Sequence, residues 1–229
     1  MTSYLFDPPP IPAVPVRGTD QLFPIRRIFC VGRNYEAHAK EMGVVADREK
    51  PFYFTKAPIT YVATGATLAY PPATSNYHYE MELVVAIGAP LFQVDQADAW
   101  DGIFGYACGL DMTRRDLQLA ARDKSRPWDL GKDFEDAAVL APIVRAGEVG
   151  RMIRGKIELK VNGAVKQSSD LNLLIHNVPA IVADLSRFYH LGPGDIIYTG
   201  TPEGVGPVKP GDRLEGSIDG LVGIEATIA

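Results

Sequence analysis

The sequence predicts an α+β, β-rich fold: a mixed β-structure carrying a few short helices. Seven apolar runs of strand length point that way, at Arg27–Val31, Phe52–Thr55, Glu80–Ile87, Ile103–Leu110, Ile157–Val161, Asp195–Thr199 and Gly223–Ile228. Only three segments read as helices, and they do not alternate with the strands as a doubly wound sheet requires. Glycine (22 residues) and proline (18) punctuate the short segments throughout.

At the N-terminus, Pro8-Pro9-Pro10, Pro12 and Pro15 predict a stiff extended leader over residues 1–20, followed by a single domain over 21–229. The first helix is expected over Tyr35–Met42, entered by Asn34 as N-cap and closed by Gly43. The second is expected over Arg114–Lys124, with Thr113 as N-cap and Asp116 standing where a capping box carries Glu. The third, Pro179–His190, places Ile181, Leu185 and Phe188 on one stripe. Asn162-Gly163 predicts a two-residue hairpin turn, because both positions tolerate positive φ. Gly192-Pro193-Gly194-Asp195 and Pro210-Gly211-Asp212 mark further turns.

A chain of 229 residues buries a sizeable core without disulfide staples. Its 23 basic and 28 acidic residues give −5 and a pI near 5.4, and no Lys/Arg-rich stretch tracks a phosphate backbone. Nucleic acid is therefore not an expected partner. Cys30 and Cys108 sit in apolar runs and read as free core thiols of a reducing compartment. No apolar stretch approaches the roughly 20 residues that span a bilayer, and no basic-then-apolar start marks a secretory signal. The expectation is a cytoplasmic protein with no membrane partner.

Three groups of residues suggest chemistry. Strand alternation puts Glu80 and Glu82 on one face, about 7 Å apart, where they either meet solvent or converge on a cation. Asp111, ending the next apolar run, is the candidate third ligand or an ordinary turn acid. An all-oxygen set suits Mg²⁺, Mn²⁺ or Ca²⁺ rather than zinc. On the adjoining helix Arg115 and Gln118 share a face. In the first helix His38 and Glu41 bring their Cβ atoms to about 5–6 Å, as a general base for water or as a plain surface pair. Two other strings carry nothing. Gly200–Gly206 lacks the Gly-Lys-Ser/Thr ending of a phosphate loop. Gly216-Ser217-Ile218-Asp219-Gly220 matches a nucleophile elbow but lies between turns, with no histidine after it.

Five strings, in order, resemble the fumarylacetoacetate hydrolase family: VGRNYEAHAKEMG from Val31, NYHYEMELVVAIG from Asn76, GLDMTRRDLQ from Gly109, RPWDLGKDF from Arg126 and YTGTPEGVGPV from Tyr198. The resemblance runs from about Arg27 to the C-terminus. It implies that family's rolled mixed β-structure, a catalytic domain over 21–229 and a homodimer. It also implies that Glu80, Glu82 and Asp111 bind a divalent metal, Mg²⁺ first, with Mn²⁺ or Ca²⁺ as alternatives. His38 and Glu41 would activate water with Lys132 as a third catalytic residue. Arg115, Gln118 and Thr201 would contact a small 2-oxo acid, with Arg33, Tyr35 and Lys56 in matching segments.

The implied reaction is metal-dependent hydrolysis of the carbon–carbon bond of an acylpyruvate. Such a bond resists hydrolysis because its leaving group is a carbon anion, which a cation on the 2-oxo acid would stabilise as an enolate. Within the family the whole chain is similar to members that split fumarylpyruvate into fumarate and pyruvate in gentisate degradation. The alternatives on the same site are acetylpyruvate hydrolysis or oxaloacetate decarboxylation, isomerisation of unsaturated 2-oxo diacids, and a silent metal-binding relative. Fumarylpyruvate ends in a second carboxylate. The stretch Arg122-Asp123-Lys124-Ser125-Arg126 is therefore expected either to fold over the site as a cationic lid or to remain a solvated loop.

Overall fold

Alternate residues of the same strands enter two different apolar cores. In the computed structural model, which describes residues 3–43, 45 and 48–229, Ile28 and Cys30 join one core while Phe29 and Val31 join the other. Val84 and Ala86 are likewise divided from Leu83, Val85 and Ile87. Both faces of the central sheet are thus covered, which is why its strands read as unbroken apolar runs rather than alternating ones.

That sheet runs in the order Phe52–Lys56, Arg27–Gly32, Asp195–Tyr198, Met81–Ile87, Ile103–Asp111, Ala138–Leu140 and Tyr61–Ala63, with Val144–Arg145 as an added partner of Ile103–Asp111. It is mixed: Arg27–Gly32 lies parallel to Asp195–Tyr198, and Ala138–Leu140 parallel to Tyr61–Ala63, while the other pairs are antiparallel. A second sheet orders Ala164–Asp170, Lys156–Val161, Arg213–Ile218, Ile224–Ile228 and Ala66–Leu68. Its Ile157, Leu159, Leu214 and Ile224 share a core with Leu83 and Cys108 of the first. The Asn162-Gly163 turn is as predicted, with φ of 52° and 79° joining two strands of this sheet.

All seven predicted strands are present, and the three predicted helices occur at Glu36–Glu41, Arg115–Asp123 and Val178–Ser186. Their ends differ. Tyr35, not Asn34, caps the first helix, because the Asn34 carboxamide is spent on His176 and Thr199. Arg114, not Thr113, precedes the second, and Asp116 accepts from Thr74 and Ser75 instead of closing a capping box. The third stops at Ser186, so Phe188 lies beyond the buried Ile181–Leu185 stripe and is exposed. In the N-terminal segment Ala13–Pro15 pairs with Leu22–Pro24, and Val14 and Val16 are buried against the central sheet. This hairpin straddles residue 20. Among the described residues no helix is long and apolar enough to cross a membrane.

Candidate active site

The pairing of Met81–Ile87 with Ile103–Asp111 places the carboxylates. Met81 faces Leu110 and Glu82 faces Gly109, and the Asp111 N–H donates to the Glu80 carbonyl at 2.9 Å. Glu80 and Asp111 are therefore cross-strand neighbours, with Glu82 one pleat further along the same face. One oxygen of each falls within 4.8 Å of the others, and all three residues are buried.

Three cations meet these carboxylates. Lys132, closing the short Asp129–Lys132 helix, sets its Nζ 2.8 Å from Glu80 Oε2, 2.7 Å from Asp111 Oδ2 and 2.7 Å from Thr113 Oγ1. Arg115 donates through Nη2 to Glu80 Oε1 and through Nη1 to Gln118 Oε1. Lys56 Nζ lies 2.9 Å from Asp111 Oδ1. Burial alone would raise the Glu80 carboxyl, but Lys132 and then Arg115 hold it well below the usual carboxylate range. Burial would likewise lower Lys132, but Asp111 and Glu80 overcome it and keep the ammonium charged.

Two features fit a bound cation. Asp111 Oδ1 is buried with no hydrogen bond, its approach to Lys56 being ionic only. Glu82 pairs with no cation among the described residues; its Oε2 accepts only the Gly200 N–H, at 2.6 Å. Burial first, then Asp111 and Glu80, push its carboxyl well above the usual range. An uncompensated buried carboxylate is costly, and a divalent ion among three oxygen donors offsets that cost.

The Glu36–Glu41 helix supplies the second group. His38 Nδ1 lies 3.1 Å from Glu41 Oε2, and Glu41 Oε1 accepts the Gly204 N–H at 3.1 Å. Burial acts to raise the Glu41 carboxyl, but the His38 and Gly204 hydrogen bonds hold it below its ordinary value. The glycine-rich loop thus has work of its own: Gly200 and Gly204 offer backbone N–H groups to a carboxylate of each cluster. Gly204 has φ 91°, and a Cβ there would sit 2.1 Å from the Lys166 carbonyl oxygen, so no larger residue fits.

One cavity brings the two groups together. Val31, Arg33, His38, Phe54, Glu80, Glu82, Arg115, Gln118, Arg122, Trp128, Lys132 and Thr201 line it. Of the residues expected to touch substrate, Arg33, Arg115, Gln118 and Thr201 do face this space. Tyr35 does not: it is buried outside the lining, its hydroxyl has no hydrogen-bond partner among the described residues, and burial raises its pKa strongly. Glu41 and Asp111 lie outside this lining, in contact with His38 and Lys132 respectively. Of the Arg122–Arg126 stretch only Arg122 reaches the cavity.

A family profile described as the fumarylacetoacetate (FAA) hydrolase C-terminal domain matches residues 27–229. The chain belongs to the fumarylacetoacetate hydrolase family. Within that family it is 58% identical over 189 residues to a fumarylpyruvate hydrolase of a Ralstonia species, spanning 82% of this chain and 98% of that one. It is 40% identical over 197 residues to a mitochondrial oxaloacetate tautomerase of Homo sapiens, spanning 86% and 89%. Among solved structures, the fumarylpyruvate hydrolase from Pseudomonas aeruginosa in complex with Mn²⁺ and pyruvate superposes with a TM-score of 0.96 at 47% identity, covering 99% of each chain. The family fold is the β-rich, rolled arrangement described above.

Several members of the site had no signal in the sequence reading. Gln167 comes from the second sheet and Thr113 had been read as a helix cap. His78, which accepts from Arg115 Nε at 3.5 Å, lies in a strand that no apolar run announced. Burial, then Arg115, push the His78 imidazole down to about 4, so it is a neutral acceptor there.

Proposed function

We propose that this protein is a divalent-metal-dependent hydrolase that splits fumarylpyruvate into fumarate and pyruvate. The observation that carries the reading is one cavity lined by His38 of the imidazole–carboxylate pair together with Glu80, Glu82 and Lys132. The resemblance to two fumarylpyruvate hydrolases across nearly their whole length supports the choice of substrate.

A cation held by Glu80, Glu82 and Asp111 would polarise the 2-oxo acid and offset charge developing on the departing carbon. Because Glu41 engages His38 Nδ1, the free Nε2 is the atom that takes a proton from water. Glu41 fixes the orientation of the ring. The resulting hydroxide adds to the carbonyl carbon remote from the 2-oxo acid. When that adduct collapses, the carbon–carbon bond breaks and its electron pair leaves with the methylene carbon. The proton on His38 then passes to that carbon, giving pyruvate, with fumarate as the other product. Arg115, Gln118 and Thr201 hold the 2-oxo acid end. Lys132 is engaged by Glu80 and Asp111, so its first task is to keep two ligand carboxylates in place.

Mg²⁺ is the expected ion, on the hardness of an all-carboxylate set. A homodimer is the expected assembly, supported by the exposed apolar side chains of Leu5, Phe6, Ile11 and Leu22. A cytoplasmic setting is supported by the free thiols of Cys30 and Cys108.

The test is to supply purified protein and Mg²⁺ or Mn²⁺ with fumarylpyruvate, acetylpyruvate and oxaloacetate in turn. Equimolar fumarate and pyruvate from the first, faster than cleavage of the second, is the expected result. Tautomerisation or decarboxylation of oxaloacetate with no cleavage of fumarylpyruvate would overturn the reading.

A further inference from the structure

We propose that Arg33 and Arg122 form a subsite at the mouth of the cavity for a second, distal carboxylate, so that the site selects dicarboxylic over monocarboxylic acylpyruvates. This rests on the hydrolase reading above and deepens it.

Position comes first. Arg33, Phe54, Arg122 and Trp128 line both the inner cavity and the shallow surface cleft outside it. Glu80, Glu82, His38 and Lys132 line the inner cavity alone. The two guanidiniums therefore stand where the cavity opens, away from its carboxylate floor. A 2-oxo acid held at the floor would extend its far end toward them.

Arg33 is held without using its donors. Its guanidinium lies over the rings of Phe52 and Trp128, at 5.9 and 5.6 Å from their centroids. Among the described residues it makes no hydrogen bond and no ion pair, so its N–H groups remain free for a planar anion. Its backbone adopts φ 59°, a left-handed conformation that costs a non-glycine residue energy. The buried Asn34, tied to His176 and Thr199, holds the chain in that turn and so aims Arg33 at the opening.

Arg122 supplies the second cation. It donates to the Met42 carbonyl at 3.3 Å and, among the described residues, pairs only with its own neighbour Asp123, whose side chain is 65% exposed. Such a surface pair is weak and leaves the guanidinium available to a ligand. Burial, then the like charge of Arg122, lower the Arg33 pKa, which places the two cations within each other's field. Two guanidiniums line the opening, and among the described residues the exposed Asp123 beside Arg122 is the one carboxylate paired with either, so the pair lacks an anion.

The test compares Arg33→Gln and Arg122→Gln with Lys124→Gln, a loop cation that lines neither the cavity nor the cleft. The readout is the ratio of kcat/KM for fumarylpyruvate to that for acetylpyruvate, which cancels any loss of folded protein. Each arginine variant should lower that ratio by roughly 10- to 100-fold, with Lys124→Gln matching wild type and Arg→Lys recovering part of the loss. A parallel binding measurement uses 2-oxoheptanedioate against 2-oxoheptanoate, which lack the cleavable 1,3-dicarbonyl. Wild type should prefer the diacid, and the arginine variants should not. Equal binding of the two acids by wild type, or an unchanged preference in both variants, overturns the subsite. If wild type cleaves neither acylpyruvate, the hydrolase reading falls while the binding comparison still decides the subsite.

Discussion

Gln167 donates through Nε2 to Thr201 Oγ1 at 2.8 Å, across the seam between the two sheets. The same carboxamide accepts the Met81 N–H at 3.0 Å, and Thr201 Oγ1 in turn donates to the Met81 carbonyl at 2.9 Å. Both polar groups of Met81 are therefore clamped, and Met81 is the residue that separates Glu80 from Glu82. A side chain from the second sheet thus sets the spacing of two candidate ligands and the position of a group lining the cavity.

Gln167 Nε2 also donates to the Pro202 carbonyl at 2.8 Å, so replacing Gln167 by Leu should strand that carbonyl and the Met81 N–H in the interior, at about 1–3 kcal/mol for each unsatisfied group. Divalent-metal affinity should fall by roughly 10-fold or more, as is usual when the support of a ligand is removed. Calorimetric titration of metal, with thermal melting as a check on folding, measures both. Unaltered affinity in a folded Gln167→Leu protein would refute the clamp.

Most elements were legible because their signals are local. Unbroken apolar runs marked the strands of a sheet buried on both faces, and Asn162-Gly163 marked a hairpin of the second sheet. The clustering of Glu80, Glu82 and Asp111 and the His38–Glu41 contact were legible through five short strings. What escaped was non-local. Nothing near Gln167 in the chain announces that it reaches Met81 and Thr201. Asn34 is a sound N-cap by type, yet tertiary contacts with His176 and Thr199 claim its carboxamide. Tyr35 sits between two cavity residues in sequence, but the left-handed turn at Arg33 sends it into the interior.

If His38 takes the proton from water, His38→Ala should lower kcat for acylpyruvate hydrolysis by roughly 10²- to 10⁴-fold. Metal affinity should hardly change, because His38 touches none of the three carboxylates. Decarboxylation needs no attacking water, so any oxaloacetate decarboxylation should survive in this variant. Hydrolysis at the wild-type rate would remove His38 from the mechanism.

Asp212 joins two of the three turns that the sequence marks, Asn162-Gly163 and Pro210-Gly211-Asp212. Its carboxylate accepts from the Asn162 side chain at 2.8 Å and from the Lys209 N–H at 2.9 Å. Burial acts to raise its pKa, but these hydrogen bonds hold the carboxyl below the ordinary 3.8. A depressed folded pKa means stability that is present above 3.8 and lost as pH falls through the folded value. Asp212→Asn should therefore melt below wild type at neutral pH, and the gap should close in acid below that value. A gap that stays constant with pH would assign the loss to packing instead.

Chelation should abolish activity, and Mg²⁺ or Mn²⁺ should restore it, but Glu82 permits a sharper test. Without an ion, Glu82 is a buried carboxylate beside two others, with one backbone N–H as its hydrogen-bond donor. Glu82→Gln keeps an acceptor for Gly200 and removes the repulsion. In chelator this variant should melt higher than wild type. Adding Mg²⁺ or Mn²⁺ should raise the wild-type melting temperature strongly, because an ion that binds only the folded state stabilises it by mass action. The variant should gain far less, so the order of the two melting curves should reverse as metal is added. Lys132→Met should behave in the opposite sense. It leaves Glu80 and Asp111 buried without the cation they share, which costs about 3–5 kcal/mol in the metal-free protein, and metal should recover part of that loss. A Glu82→Gln protein that is less stable than wild type in chelator, or that responds equally to metal, would show that Glu82 is a structural acid rather than a ligand.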